Sequence, residues 1–382
     1  MNVLKNRCGI IFLFLVLFLA GCDSEGEDYP FSEQMFGEVE ALVLNEGLFT
    51  SNTGAISMLY KDGTVIPDLF RDINHRPIGD VAQSLTEING KYFVALNNSK
   101  KIEVVDPTTF RSVGTICYTQ AGFPRQIVSI SPSEAIVSDL ERQLVRIRTL
   151  PPYGAPLEYI PVERWIEYLV VTENKLFGMT SGGLYVFDLD KISKQQGRVI
   201  EEVKNEEVTK SCQLLVDYRG YIWALMHREE EGKVVGISLL CVDPKTEKIV
   251  ATHTLPFNFS RNPLIGDVVD AIQYNRTDMD STRHWIYFSV KTYVGQNDIG
   301  EQLTQQTVVR MQVDTGKFEL YRHLPSANMM YGFAVDPQGD VYLCDCLDYT
   351  AQRGYVRKYL ADGTILNYRV GIYPNQIYFP KK

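Results

Sequence analysis

The chain repeats one short pattern seven times, and this repetition constrains its fold more than any other feature. In each copy a polar residue or a glycine opens an apolar strand, usually after a loop with proline, glycine or an aromatic residue. The copies begin at Gln83, Gln126, Glu167, Gln213, Asp270, Gly332 and Gln376. Their spacing of 41 to 62 residues is typical of a β-propeller, in which each blade holds four short strands over roughly 40–50 residues.

A second pattern, found independently, also occurs seven times. A hydrophobic strand, often ending in aspartate, runs into turn residues such as Asp62-Gly63, Asp106-Pro107 and Asp362-Gly363. Two patterns with the same count predict an all-β, seven-bladed propeller. The two longest intervals hold insertions, which we place near residues 227–233 and 295–305.

The positions of the chain ends predict how the propeller closes. The seventh opening strand, Gln376–Phe379, is almost the last segment, whereas the strands Ala41–Asn45, Ala55–Tyr60 and Val65–Phe70 have no opening strand before them. One blade can therefore consist of one C-terminal and three N-terminal strands, which removes exposed sheet edges. This predicts a single propeller domain over residues 39–382. A pair of β-sandwiches is the alternative.

The N-terminus has the features of an export signal. Lys5 and Arg7 precede an unbroken apolar run from Ile10 to Ala20, which is too short for a membrane span of about 20 residues. The run ends in Leu19-Ala20-Gly21-Cys22, which resembles a bacterial lipobox, in which the cysteine is lipidated. We predict a lipoprotein signal peptide at residues 1–21 and lipidation of Cys22. The alternative is a plain secretory peptide.

The segment after Cys22 is predicted to be an acidic tether over residues 22–38. Asp23 to Asp28 holds four acidic residues in six, a composition that has nothing to bury. It resembles the signal that sends Bacteroides-type lipoproteins to the outer face of the outer membrane. We therefore expect an extracellular protein that touches the membrane only through its lipid anchor. A simple linker is the alternative.

Charge and motifs argue against several classes of function. The net charge of −9 does not suit a general nucleic-acid binder, because the phosphate backbone demands a basic surface. The sequence contains no Gly-x-Ser-x-Gly elbow, P-loop or His-Glu-x-x-His motif, and its five histidines are scattered. We expect no enzyme activity, cofactor or metal. Loop carboxylates that meet in space as a Ca²⁺ or glycosidase-type pair are the alternative.

Cys344 and Cys346 form the one close pair of cysteines. In a strand their thiols would point the same way. A zinc site would need two more ligands at suitable spacing, and the sequence shows none. We expect buried cysteines that act as small hydrophobic residues.

One face of the predicted propeller carries the candidate ligand contacts. The loops that lead into the first strands and those between second and third strands share this face. Planar aromatic side chains suit a large, flat, partly polar ligand, and amides and arginine suit its polar rim. The predicted contacts are Asn97, Arg125, Gln126, Trp165, Tyr293, Asn328, Tyr331, Tyr349 and Asn375. Ser181 and His227 lie on loops of the same face.

Four recurring glutamines are a further candidate feature of the channel. Gln83, Gln126, Gln213 and Gln376 each open a first strand. They form either a ring of hydrogen-bonding groups at a pocket floor or bonds to one another and to channel water.

Six segments carry a resemblance to a known family. They are Val43–Gly47, Asn52–Ser57, Leu96–Ser99, Ile102–Asp106, Gly122–Ile127 and Gly371–Ile377. Together they resemble the YncE-like propeller lipoproteins of Bacteroidetes, and most of all the surface cobalamin-binding (BtuG-type) lipoproteins. The resemblance implies a seven-bladed propeller that captures vitamin B12 or a related corrinoid. It also implies transfer of the ligand to a TonB-dependent outer-membrane transporter of the BtuB type.

Other functions stay open at this point. One is capture of a different nutrient, such as a glycan, a peptide or a siderophore. A glycan binder should present a flat row of exposed aromatics, whereas a corrinoid binder needs an amide-rich bowl. A secreted propeller enzyme and a protein-interaction scaffold are further alternatives. An enzyme would cluster histidines and carboxylates in the channel, and a scaffold would expose a large apolar patch.

Overall fold

Seven antiparallel sheets surround a central channel in the computed structural model. It describes residues 38–180, 183–194, 196–200, 213–230, 233–254, 268–270, 277–325 and 327–380. The predicted signal peptide, the predicted lipidation site Cys22 and all of the predicted tether except residue 38 lie outside the described residues, as does Ser181. Within the described ranges, no helix has the length and apolar character needed to cross a membrane.

The chain ends meet in one blade, as predicted. Blade 1 joins a C-terminal strand to three N-terminal ones. From the channel outward its strands are β29 (Pro374–Tyr378), β1 (Val39–Asn45), β2 (Ala55–Tyr60) and β3 (Val65–Ile66). Leu44 of β1 faces Gln376 of β29 in this antiparallel pairing. The all-β, seven-bladed fold and its closure are therefore confirmed.

Blades 2 to 4 each contain four strands in chain order from the channel outward. Blade 2 consists of β4 (Ala82–Ile88), β5 (Lys91–Leu96), β6 (Lys101–Val105) and β7 (Ser112–Cys117). Blade 3 consists of β8 (Pro124–Ser131), β9 (Glu134–Asp139), β10 (Gln143–Arg148) and β11 (Glu158–Pro161). Blade 4 consists of β12 (Tyr168–Thr172), β13 (Lys175–Thr180), β14 (Gly183–Asp188) and β15 (Arg198–Val199), with a short 3-10 helix at Leu189–Lys191.

Blades 5 to 7 follow the same order, but the inner strand of blade 6 is in two pieces. Blade 5 consists of β16 (Leu214–Val216), β17 (Ile222–Glu230), β18 (Lys233–Asp243) and β19 (Lys248–Thr254). Blade 6 consists of β20 (Val268–Asp270), β21 (Thr277–Met279), β22 (Trp285–Gln296), β23 (Gln302–Gln312) and β24 (Phe318–Pro325). Blade 7 consists of β25 (Met330–Val335), β26 (Val341–Asp345), β27 (Tyr355–Tyr359) and β28 (Ile365–Arg369).

Two local predictions need correction. The strand predicted at Val65–Phe70 ends at Ile66, and the helix α1 (Leu69–Asn74) follows. The helix begins there because the Asp68 carboxylate accepts a 3.2 Å hydrogen bond from the backbone of Arg71. The opening strand predicted at Asp270 instead ends at that residue, and the residues directly after it are outside the described part of the chain. The two predicted insertions lie at the tips of the long β17–β18 and β22–β23 hairpins.

The hydrophobic core lies between neighbouring blades. Trp223 and Leu239 of blade 5 pack against Phe288 and Val309 of blade 6, and all four side chains are at most 1% exposed. Burying one such side chain contributes roughly 1.5–3 kcal/mol to stability. The inner strands are left facing the channel, where polar side chains gather.

Candidate functional site

The channel along the propeller axis is a polar cavity of about 500 Å³. Five side-chain amides contribute to its wall, from Gln83, Gln126, Gln213, Asn375 and Gln376. Hydroxyl groups of serine, threonine and tyrosine lie among them. The wall therefore offers many hydrogen-bonding groups and little apolar surface, which suits a polar ligand.

Three of the four recurring glutamines bind the next blade rather than one another. The Gln376 amide accepts a 2.8 Å bond from the Leu85 backbone N–H and donates a 3.0 Å bond to the Leu85 carbonyl. The Gln126 amide oxygen accepts from the Leu169 N–H, and that of Gln213 accepts from the Thr277 hydroxyl at 3.0 Å. These three glutamines contribute to the channel wall, as one interpretation predicted, but in these hydrogen bonds their amides bind the next blade and not one another.

The arrangement of the inner strands explains why these glutamines bind the next blade. Inner strands of adjacent blades belong to different sheets, so the backbone groups on their channel side have no ladder partner. Buried backbone groups must be satisfied, and a glutamine from the preceding blade has the reach to do it. Gln83 differs, because its amide makes no side-chain hydrogen bond within the part of the chain that the structure describes.

Carboxylates outnumber cations in the channel wall. Glu46, Glu167 and Asp278 contribute to it, and Arg125 is the one arginine or lysine among the described wall residues. The Arg125 guanidinium forms an ion pair with Glu167. The described wall residues therefore include three carboxylic acids and one cation.

Asp278 is held in an unusual environment. Its carboxylate accepts hydrogen bonds from the backbone N–H groups of Val335 and Met279, each at 2.8 Å. Burial raises the pKa of Asp278 to about 6, and these backbone bonds oppose the shift. The bond to Val335 ties blade 6 to blade 7 across the gap between their inner strands.

A row of three tyrosines runs from the channel wall to the exposed face. Tyr331 contributes to the wall, and its ring centroid lies 5.8 Å from that of Tyr373. Tyr373 lies 6.4 Å from Tyr349, whose side chain is 80% exposed. The Tyr331 hydroxyl donates a 2.7 Å hydrogen bond to the Glu46 carboxylate. We call Tyr331, Tyr373, Tyr349 and Glu46 the tyrosine corner.

Tyr373 occupies a conformation that costs energy. Its φ of +52° lies in the left-handed region, which non-glycine residues rarely adopt and which costs on the order of 1–3 kcal/mol. Its backbone carbonyl accepts a 2.8 Å bond from the Glu46 N–H. This bond fixes the loop before β29 against the loop after β1 and holds the ring between its two neighbours.

Four of the nine predicted ligand contacts contribute to the channel wall. They are Arg125, Gln126, Tyr331 and Asn375. The Asn375 amide nitrogen donates a 3.2 Å bond to the Ala82 carbonyl. Its buried amide oxygen receives no hydrogen bond from the described residues. Tyr349 lies at the outer end of the tyrosine corner.

The other four predicted contacts lie away from the channel wall. Asn97 is 7% exposed and donates to the Pro124 carbonyl at 3.3 Å, so it joins blades 2 and 3. Trp165 and Asn328 are exposed on the loops before β12 and β25. Tyr293 was predicted in a loop, but it lies within strand β22 and faces Thr304, because the insertion extends the hairpin instead of its loop. The side chain of His227 lies outside what the structure describes.

Sequence reasoning missed Thr277 and Asp278 as channel residues. They lie in β21, the second piece of the blade 6 inner strand. The repeat pattern predicted the start of this inner strand at Asp270, seven residues before Thr277. The dipeptide Asp278-Met279 matches no turn or motif pattern, so nothing in the sequence indicated a channel residue there. Glu46, Glu167 and Tyr373 were not among the predicted contacts, although the loops that hold them belong to the predicted ligand-binding face.

The cysteine pair is buried. Cys344 lies in β26, and Cys346 follows directly after its end. Neither forms a disulfide bond with another described cysteine, and both are buried, at 0% and 1% exposure. No group of three or more potential metal ligands occurs among the described residues.

Comparisons with known proteins place the chain in a family of unknown function. The family model for a domain of unknown function (DUF5074) matches residues 40–352. No curated protein matches the chain. Among solved structures, hydrazine synthase of Kuenenia stuttgartiensis matches with a TM-score of 0.50 and 13% identity, over 72% of this chain and 76% of that one.

Two further structures match less well. The Cps50 (Swd1) β-propeller domain of Myceliophteria thermophila has a TM-score of 0.48 and 12% identity, over 90% of this chain and 97% of that one. The extracellular domain of BT4673 from B. thetaiotaomicron has a TM-score of 0.42 and 12% identity, over 74% of this chain and 32% of that one. At these identities structural similarity concerns the fold alone.

Proposed function

The chain belongs to the DUF5074 family, and from this premise we propose that it is a surface-exposed outer-membrane lipoprotein that binds cobalamin or a related corrinoid. In this proposal it hands the corrinoid to a TonB-dependent transporter of the BtuB type. It works as a binding protein without a cofactor or metal of its own.

The polar channel mouth with its tyrosine corner is the observation that carries this proposal. A corrinoid is a wide disc with amide side chains around its rim, so it would lie across the mouth rather than within the channel. Tyr373 and Tyr349 offer planar faces beside the rim. The side-chain amides of the channel wall offer hydrogen-bonding groups for the rim amides.

Two other features support binding rather than catalysis. The Glu46 carboxylate is hydrogen-bonded by Tyr331, and the Glu167 carboxylate is paired with Arg125. Both groups are thus held as fixed polar contacts. A lipid anchor on Cys22 would keep the protein near a transporter, and the resulting high effective concentration favours transfer of the ligand.

Calorimetric titration of the purified protein with cyanocobalamin and with cobinamide tests the proposal. We expect one-to-one binding of at least one corrinoid, and about a tenfold loss of affinity in Tyr349→Ala. The matched control is Tyr218→Ala, since Tyr218 is 48% exposed but lies in the loop between the first two strands of blade 5, on the opposite face. No heat with either corrinoid would overturn the proposal.

The proposed location of the protein on the outer surface of the outer membrane is tested separately. We expect Cys22→Ser to abolish incorporation of radiolabelled fatty acid. We also expect an external protease to digest the wild-type protein on intact cells. Protection from protease on intact cells, with digestion after lysis, would place the protein inside the outer membrane and overturn surface display.

Capture of a glycan is the second candidate function, and the tyrosine corner favours it in one respect. Exposed aromatic rows bind sugar rings, and Tyr349 with Tyr373 forms the outer part of such a row. A glycan mixture in the same calorimetric experiment decides between the two ligands.

A further inference from the structure

We propose that the tyrosine corner binds an organic cation, namely a quaternary ammonium or protonated amine group. The inference goes beyond the corrinoid proposal and does not depend on it. It rests on the geometry of three rings, on the charges around them, and on the strained backbone that positions the central ring.

The rings form an open corner rather than a stack. The planes of Tyr331 and Tyr373 are tilted by 41°, and those of Tyr373 and Tyr349 by 52°. A cation bound within about 6 Å of a ring centroid is attracted by the negative face of the ring. Centroid separations of 5.8 and 6.4 Å are short enough for one cation to lie within about 6 Å of two ring centroids at once.

The charges around the corner favour a cation. Burial raises the pKa of Tyr373, and nearby Cys346, Asp348, Tyr349 and Glu46 raise it further. The two carboxylates among these groups flank the central ring on different loops. Neither an arginine nor a lysine is among the groups that shift the pKa of Tyr373.

The hydrogen-bonding groups beside the corner are also acceptors. One is the Glu46 carboxylate, which contributes to the channel wall and accepts from the Tyr331 hydroxyl. A protonated amine would donate to such groups, and a quaternary ammonium would use the ring faces and the carboxylate charge. The strain at Tyr373 fits a ring that is positioned for binding.

The test compares two ligands of the same shape and different charge. Choline carries a quaternary ammonium, and 3,3-dimethyl-1-butanol replaces that nitrogen with carbon. We expect ligand-observed NMR titrations of the purified protein to show at least tenfold tighter binding of choline. Binding of choline should also weaken as salt rises, because the carboxylates are near solvent. Equal binding of the two compounds, or no binding of choline, would overturn the inference.

Variants locate the site. Tyr349→Leu and Glu46→Gln should each weaken choline binding about 3- to 10-fold, as expected for the loss of one cation–π or ionic contact. Tyr349 is 80% exposed, so its variant should keep the wild-type melting temperature. Tyr218→Leu on the opposite face is the matched control and should bind choline normally. Unchanged affinity in both corner variants would overturn the assignment to this corner.

Cyanocobalamin titrated into the same protein separates this inference from the proposed function. Choline binding without cyanocobalamin binding would support the cation site and overturn the corrinoid proposal. Cyanocobalamin binding without choline binding would overturn the cation site alone.

Discussion

The side-chain amide of Gln376 makes two hydrogen bonds to the backbone of Leu85, which lies 291 residues earlier in the chain. Gln376 belongs to the C-terminal strand of blade 1, and Leu85 to the inner strand of blade 2. The two strands are in different sheets, so no ladder hydrogen bond joins them. The amide therefore replaces the missing backbone partner at the point where the ring closes.

Replacing Gln376 should destabilise the closed ring. Gln376→Ala removes both bonds and leaves two backbone groups of Leu85 without their partner, so we expect a loss of about 2–3 kcal/mol in the free energy of unfolding. Urea denaturation measures it. Gln83→Ala is the matched control, with an expected change of at most about 0.5 kcal/mol. Equal losses in the two variants would contradict the bonding role of Gln376.

The buried Glu103 should make stability depend on acid pH. Its carboxylate is 0% exposed and pairs with Arg76 at 2.7 Å and Lys101 at 2.8 Å. Burial raises the pKa of Glu103, but hydrogen bonds from Arg76, Lys101 and Ser112 outweigh it and leave the pKa below its ordinary value of 4.5. The stabilisation is thus complete above pH 4.5 and is lost as the pH falls through the lower folded-state pKa.

Unfolding of Glu103→Gln at several pH values tests this dependence. At pH 7 we expect the variant to lose about 3–5 kcal/mol, the usual result of breaking a buried ion pair. The difference from the wild type should shrink as the pH falls below 4.5. Glu134→Gln, which breaks a partly exposed pair with Arg146, is the control and should cost at most about 1 kcal/mol. A pH-independent difference for Glu103→Gln would refute the linkage.

Asp278 should have the opposite pH dependence. Burial raises its pKa from 3.8 to about 6, so the folded state holds the proton more tightly than the unfolded state. Wild-type stability therefore falls as the pH rises from 3.8 through 6. In Asp278→Asn no carboxylate ionises at this position, so the stability should not fall over this pH range. The amide oxygen of the asparagine can still accept a hydrogen bond from the Val335 N–H. We expect it to be more stable than the wild type by about 1–3 kcal/mol at pH 8 and nearly equal at pH 4.

Thermal unfolding at pH 4, 6 and 8 measures the effect at Asp278. Asp298→Asn, at an exposed position in the loop between β22 and β23, is the control and should change stability equally little at each pH. A variant Asp278→Asn that is less stable than the wild type at pH 8 would show that the charged form is needed in the fold.

The thiols should react in an order set by burial. Cys117 is exposed, whereas Cys241, Cys344 and Cys346 are buried. Burial also raises the pKa of the Cys241 thiol to about 12, which keeps it from forming the reactive thiolate. Pulsed alkylation followed by peptide mass spectrometry should label Cys117 first and the other three only after unfolding in urea. Labelling of Cys344 at the rate of Cys117 would contradict the packing of blade 7.

The candidate site could be predicted from the sequence only in part. Arg125, Tyr331 and Asn375 were found because each lies near the start of an inner strand, and the repeat locates those starts. Thr277 and Asp278 were missed because the inner strand of blade 6 is interrupted, which its long interval does not reveal. The strand that begins at Val65 was predicted too long because the residues around it have a β-rich pattern. In the structure Asp68 caps a helix instead, which is a signal carried by one residue.

The sequence by itself determined the number of blades, the all-β class and the closure of the ring by both chain ends. Strand alternation and turn residues are local, so they repeat visibly along the chain. Only the tertiary structure decided which polar side chains are engaged by neighbouring blades, as Gln126 and Gln376 are, and which face a ligand. That choice depends on distances between strands of different sheets, and no local periodicity encodes those distances.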